Sequence, residues 1–288
     1  MKNLFGKLSL LLLLSSLVCV IGCKPHEEKE PITPQKAFEA LTEFAQISNQ
    51  FSATVKESGS RVDATGLSNT KDLYGTKAYP IVSCVAQGNG TWLVTCNYGP
   101  TLIPCSDGYL RRGIVKIVTT GLFTTTGTVM VLTFEDFYQK GEWLSQEYKI
   151  EGTQIITNAN ANAVDPTMTD YTVTVTNGKI TYNTKVVHYS ETTTRTLSPN
   201  ASLCENNWYI TGEWNGTGSN EVPYTLTANS TPLHYRVCCH FFQDGILNIN
   251  VAGLAPFSID YGYYEEESDC DRKAQINYPG INPIFINM

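Results

Sequence analysis

The sequence predicts a mainly β protein: an antiparallel sandwich or barrel-like arrangement of sheets, as one body or two lobes, with a single N-terminal helix. Three observations carry this. From Tyr79 onward apolar residues recur at a period of two in roughly fifteen short runs separated by local turn signals. Only one stretch, Thr33 to about Lys56, shows helical periodicity. Charged residues make up 16% of the 288-residue chain, below the usual quarter or so. Thr, Asn, Gly and Tyr take their place, as in chains of many short strands joined by tight turns.

The chain begins with a short positive segment, Met1 to Lys7, followed by a nearly continuous apolar run from Leu8 to Ile21. At about fourteen residues this run is too short to span a bilayer as a helix, which takes roughly twenty. A positive start, a short apolar run and a small residue before the cut describe a secretory signal peptide over residues 1–22. The small residue, Gly22, is followed at once by Cys23, and Val20-Ile21-Gly22-Cys23 resembles the lipobox of bacterial lipoproteins. The resemblance implies cleavage before Cys23 and lipidation of its thiol and new amino terminus, enough acyl chain for stable anchoring. Cys19 competes poorly because bulky Val18 precedes it. Residues 23–32 then read as a charged, proline-bracketed tether with nothing to bury. Lys24 followed by Glu27-Glu28 is similar to the surface-export signal of Bacteroidota lipoproteins. The expected address is the outer membrane or cell surface, with the membrane as partner through the lipid.

Residues 33–57 form the helix. Thr33 is suited to cap it, Pro34 to open it, and Phe38, Leu41, Phe44, Ala45, Ile47 and Phe51 fall at helical spacing. Residues 58–78, rich in Ser, Gly, Thr and Asp, read as a loop. In the β body, 79–288, Ile81–Gln87 and Thr91–Tyr98 flank Gly88-Asn89-Gly90 as a hairpin, and Tyr171–Thr176 and Lys179–Val187 flank Asn177-Gly178 as another. Further strands are expected at Gly113–Thr120, Thr128–Phe134, Trp143–Glu151 and Ile155–Asn158, and on through Trp208–Trp214 and Leu233–Phe241 to Ile284–Ile286. A faint echo between the segments after Cys105 and Cys239 keeps a division into lobes 79–200 and 201–288 open.

The last fifty or so residues carry a second resemblance. Gly245-Ile246-Leu247-Asn248-Ile249, then Ile259-Asp260-Tyr261-Gly262, then Cys270-Asp271 and Ala274-Gln275-Ile276, are similar to the ending of a group of Bacteroidota surface lipoproteins. The resemblance implies a β fold and brings no activity with it. Of nine cysteines, Cys19 leaves with the signal peptide and Cys23 takes lipid, so an odd seven remain in a compartment that permits disulfides. Cys84 and Cys96 lie on the two arms of one hairpin and are candidates to bridge it. Cys270 is expected to pair with Cys238 or Cys239, whichever faces it.

Several residue groups are candidate sites. His234, Cys238 and His240 share one face of a strand, the ligand types zinc favours, though no second ligand pair accompanies them. Asp260, Glu265, Glu266, Glu267, Asp269 and Asp271 form an acidic cluster of the oxygen type calcium takes, without an Asp-x-Asp-x-Asp-Gly run. A solvated loop is the plainer reading, and no cofactor is predicted. Trp208 and Trp214 fall on one strand face, where aromatic rings either stack on sugars or fill a core. No Gly-x-Ser-x-Gly, His-Glu-x-x-His or phosphate-cradling glycine loop occurs, so no catalytic residue is assigned. A net charge of −7 argues against nucleic acid, which selects basic surfaces. The expectation is a non-enzymatic, lipid-anchored binding or assembly protein, partnered by glycan or an envelope protein. A carboxylate-dependent glycan hydrolase is the alternative.

Overall fold

The structure, a computed structural model, describes residues 31–69, 80–141, 145–161, 165, 167–200, 206–236, 239, 242–262, 270 and 273–287. Helix α1 spans Pro34–Thr65. The Thr33 hydroxyl accepts the Lys36 N–H at 3.3 Å, Pro34 opens the first turn, and Gly66 closes the helix in the left-handed region at φ 55°. The helix thus continues through residues 58–65, which the sequence placed in a loop. Packing explains the difference. Gly59 lies beneath the Phe123 ring, with ring carbons 2.7–2.9 Å from where a Cβ would sit, and Ser58, Val62 and Thr65 are buried beside it. Burial of that turn outweighs the cost of about 1 kcal/mol for a helical glycine.

The strands are β1 (Ile81–Ala86), β2 (Trp92–Asn97), β3 (Ile103–Pro104), β4 (Tyr109–Thr119), β5 (Val129–Gly141), β6 (Tyr148–Ala161), β7 (Thr169–Tyr182), β8 (Lys185–Ser198), β9 (Asn207–Thr217), β10 (Pro223–Arg236), β11 (Phe242–Asp244), β12 (Ile246–Val251), β13 (Phe257–Asp260), β14 (Lys273–Asn277) and β15 (Ile284–Asn287). They form one open antiparallel sheet in the order β1-β2-β4-β5-β6-β7-β8-β9-β10-β12-β13-β14-β15, with β3 on β4 and β11 on β10. Strands on either side of residue 200 are direct neighbours, β8 pairing with β9 from His188↔Thr217 to Ser198↔Asn207.

The Gly88-Asn89-Gly90 hairpin forms as read. The Asn177-Gly178 turn does not: both residues lie inside β7, at a bulge where the register with β8 shifts between Val175 and Gly178. The chain reverses instead at Asn183-Thr184, between paired Tyr182 and Lys185. Gly178 is required there for room, since a Cβ would stand 2.5 Å from the Tyr189 carbonyl oxygen and 3.3 Å from the Phe51 ring.

From β1 to β10 the sheet is nine strands wide along its path, roughly 38 Å at about 4.8 Å per interval. A helix is only about 10 Å across, yet α1 reaches Gln139 on β5, Gln154 on β6, Arg195 on β8 and Tyr224 on β10. The sheet therefore curls around α1. Its concave face supplies Val82, Val94, Ile117, Leu132, Val173, Leu226 and their neighbours to one core with Ala40, Phe44, Ile47, Phe51 and Val55 of the helix. Among the described residues no helix is long and apolar enough to cross a membrane.

Candidate functional site

The interior is unusually polar where α1 meets the sheet, and its charged groups are committed to one another. Arg111, with no exposed surface, forks onto both Asp107 oxygens at 2.7 and 2.6 Å and donates from Nε to Gln139 at 2.7 Å. Gln139 in turn donates to the carbonyl and side chain of Gln50. Glu191 accepts from Arg195 at 2.6 Å, Thr193 at 2.5 Å and Tyr189 at 2.9 Å, and Arg195 also donates to Ser52 of α1 at 3.1 Å. Near the start of the helix Glu43 accepts from Tyr182, Lys185 and both groups of Ser219. Burial pushes the Glu43 carboxyl up, and these donors outweigh it, leaving the group below its ordinary value. Satisfied networks of this kind specify how a helix seats in a core.

The sequence-predicted sites fare unevenly. Trp214 is 1% exposed and packs edge-on against Phe44 of α1 at 6.1 Å, so it is a core residue and the sugar-contact reading fails there. Trp208 is half-buried and packs on Tyr171 at 5.7 Å. The Cys84–Cys96 bridge is also overturned, both thiols being free and buried. Cys84 faces Val94 and Cys96 faces Val82, so the two stand on a diagonal of roughly 7–8 Å, beyond disulfide reach. Burial raises the Cys96 pKa to about 12, which leaves an inert thiol. Cys270 pairs with Cys239, the choice between the two candidates falling to the residue that faces it.

Of the acidic cluster, Asp260 accepts the Gly262 N–H at 3.0 Å as an ordinary turn contact. Glu265, Glu266, Glu267, Asp269 and Asp271 lie outside the described residues, as do Cys23, Cys238 and His240. No group of three or more His, Cys, Asp or Glu able to hold a metal ion occurs among the described residues. His234 stacks on Tyr209 at 5.0 Å and its Nε2 shares a hydrogen bond with Asn207 at 2.9 Å.

Burial lowers the His234 pKa below 6.5, partly offset by Asp244. A histidine with a depressed folded-state pKa takes up its proton more readily after unfolding, so stability falls as pH drops below about 6.5. Urea unfolding at about pH 7.5 and about pH 5 is expected to show the wild type losing more stability than His234→Gln over this window. Equal losses in the two proteins would exclude the linkage.

The concave feature of the outer face was not anticipated. Side by side across β1, β2, β4 and β5 stand Ile81, Asn97, Ile114 and Glu135. Between β4 and β5 the register shifts from Arg112↔Tyr138 to Ile114↔Glu135, a bulge in which Asp136 takes φ 41° and Gly113 φ 89°. Strand alternation sends consecutive side chains to opposite faces. Here Phe134 and Phe137 both turn inward, their rings stacked at 5.6 Å and Phe137 buried at 1% exposure. Glu135 and Asp136, between them, are both turned to the outer rim, 51% and 88% exposed.

Together these groups line a cavity of about 360 Å3, with Ile81, Ile114 and Pro100 supplying its apolar wall. Gly99 and Gly113 contribute bare backbone to the lining. Gly113 is obligatory, since a Cβ would lie 2.1 Å from the Asp136 carbonyl oxygen. The segment after β2 is stitched to the bulge by Gly113 N–H donating to the Gly99 carbonyl at 2.8 Å and Tyr98 N–H to the Gly113 carbonyl at 2.9 Å. Each rim carboxylate holds a lysine, Lys116 on Glu135 and Lys149 on Asp136, the latter at 3.4 Å. The sequence signal for all this was Phe-Glu-Asp-Phe at 134–137, apolar residues three apart where a strand wants two or four.

No protein-family model matches the chain, and no curated protein or solved structure matches it.

Proposed function

We propose that the chain is a lipid-anchored protein of the bacterial outer membrane or cell surface that acts as a non-enzymatic binding module. The anchor rests on the signal peptide ending in Val20-Ile21-Gly22-Cys23 and the charged tether that leads into α1. The binding role rests on one observation: the outer-face cavity carries its two carboxylates in similar, solvent-rich settings, each already neutralised by a lysine. Acid–base catalysis by a carboxylate pair needs the two groups in contrasting environments so that one stays protonated. Exposed, charge-balanced side chains on a rigid sheet suit recognition instead.

Fractionation of cells producing wild type and Cys23→Ala tests the anchor. The wild type is expected in the membrane fraction and labelled by palmitate, and the variant unlabelled in the soluble fraction. A variant that stays with the membrane, or a wild type that never takes the label, overturns the reading.

A further inference from the structure

We infer that the cavity at the β4–β5 bulge is a recognition site for a neutral polyhydroxylated ligand, the ring of a saccharide above all. The inference rests on the binding-module reading and names the class of ligand.

Charge balance selects the ligand. Glu135 and Asp136 are each paired with an ammonium, Lys116 and Lys149, so the formal charges of the two pairs cancel. What remains is unspent hydrogen-bonding capacity. A carboxylate has about four lone-pair sites and an ammonium three donors, and one ion pair consumes only part of either. Asn97 is similarly placed, its Oδ1 accepting the Gly99 N–H at 2.8 Å while its side-chain amide can still donate. The lining therefore carries acceptors at Glu135 and Asp136 and a donor at Asn97, with an ammonium held against each carboxylate. A hydroxyl both donates and accepts, so a ring of hydroxyls can answer both kinds of group at once.

The remaining wall fits the other surface of such a molecule. Ile81, Ile114 and Pro100 are apolar, and a sugar ring presents a C–H face as well as its hydroxyls. Gly113 lets β4 lie close against the bulge of β5 beside the cavity, since a Cβ there would meet the Asp136 backbone. The volume of about 360 Å3 lies at the small end of the range for ligand pockets, about 300–1,000 Å3, room for a small ring rather than a long chain. Preorganisation comes from the sheet. The rim is set by paired strands, and the bulge that brings Glu135 and Asp136 together is locked by Phe134 and Phe137 in the core.

The test is a neutral-saccharide array probed with the full chain in detergent, followed by titration of any retained sugar against wild type, Glu135→Gln, Asp136→Asn and Asn97→Ala. Asparagine tolerates the left-handed backbone at 136, and Glu213→Gln, elsewhere on the outer face, serves as control. A neutral saccharide is expected to bind, to lose about tenfold or more in affinity in the cavity variants and not in the control, and to bind nearly as well in high salt as in low. Unfolding midpoints that stay at the wild-type value separate loss of contact from loss of fold. The inference is overturned if no neutral saccharide is retained, if the cavity variants bind as the wild type does, or if only charged ligands bind and salt abolishes them. Retention without Cys23-dependent anchoring would leave the cavity standing and remove the envelope reading; cleavage of the retained sugar would keep the ligand class and remove the non-enzymatic one.

Discussion

Replacing Asp107 with alanine is expected to destabilise the protein by about 3–5 kcal/mol, the usual consequence of stripping the partner from a buried charge. Arg111 has no exposed surface, and Asp107 is the carboxylate that holds both of its terminal nitrogens. Without it the guanidinium keeps its bond to Gln139, its place over the Tyr109 ring and its charge, in a place water does not reach. The pair itself need not add net stability, because desolvating two ions costs about what their attraction returns. The double variant Asp107→Ala, Arg111→Met is therefore expected to lose less than Asp107→Ala alone, although it changes more atoms. Urea unfolding followed by circular dichroism gives both numbers. A single-variant cost below about 1 kcal/mol, or a double variant worse than the single, would refute the account.

Phe51→Ala is the second large effect, again about 3–5 kcal/mol. The ring is fully buried, lies parallel to Tyr189 at 5.0 Å and 6°, and meets Phe134 edge-on at 6.3 Å. It bridges α1 to β5 and β8 together, so the void it leaves has walls from three elements and closes poorly. For a body of this size the loss corresponds to a fall in melting temperature on the order of 10 °C. Phe38→Ala supplies the contrast: it lies on the same helix with 45% of its surface exposed, and its removal is expected to shift the midpoint by no more than about 1 °C.

The class of fold was legible because period-two patterning survives in long strands as well as short ones. Strand lengths were not legible. Tyr148–Ala161 and Thr169–Tyr182 each merge runs that local reasoning cut apart, because Gly152 and the Asn177-Gly178 pair are bulges inside paired strands rather than turns. A turn dipeptide states that the backbone adopts a left-handed conformation there; it does not state that the chain reverses. The helix end was missed for a related reason, since Ser58-Gly59-Ser60 has loop composition and is helical only because Phe123 packs on Gly59. At the sites, Trp208 and Trp214 drew notice by residue type, and burial decided against Trp214. Glu135 and Asp136 drew none, because strand alternation places neighbours on opposite faces and only the register shift brings them together.

The seating of α1 has a consequence for the order of events in synthesis. Each strand on the main path of the sheet pairs with the one before it, so the sheet can grow hairpin by hairpin as the chain arrives. The helix is made first and satisfied last. Thr54 waits 100 residues for Gln154, Ser52 waits 143 for Arg195, and Lys36 waits 184 for Asn220. Contacts of such separation form slowly, because the intervening chain must be gathered in before they return anything. Until β10 arrives, the nascent chain carries a partly polar helix at its leading end and a growing apolar trough behind it. That intermediate is the form a chaperone would meet, and the form whose lifetime sets how much of the protein is lost to aggregation.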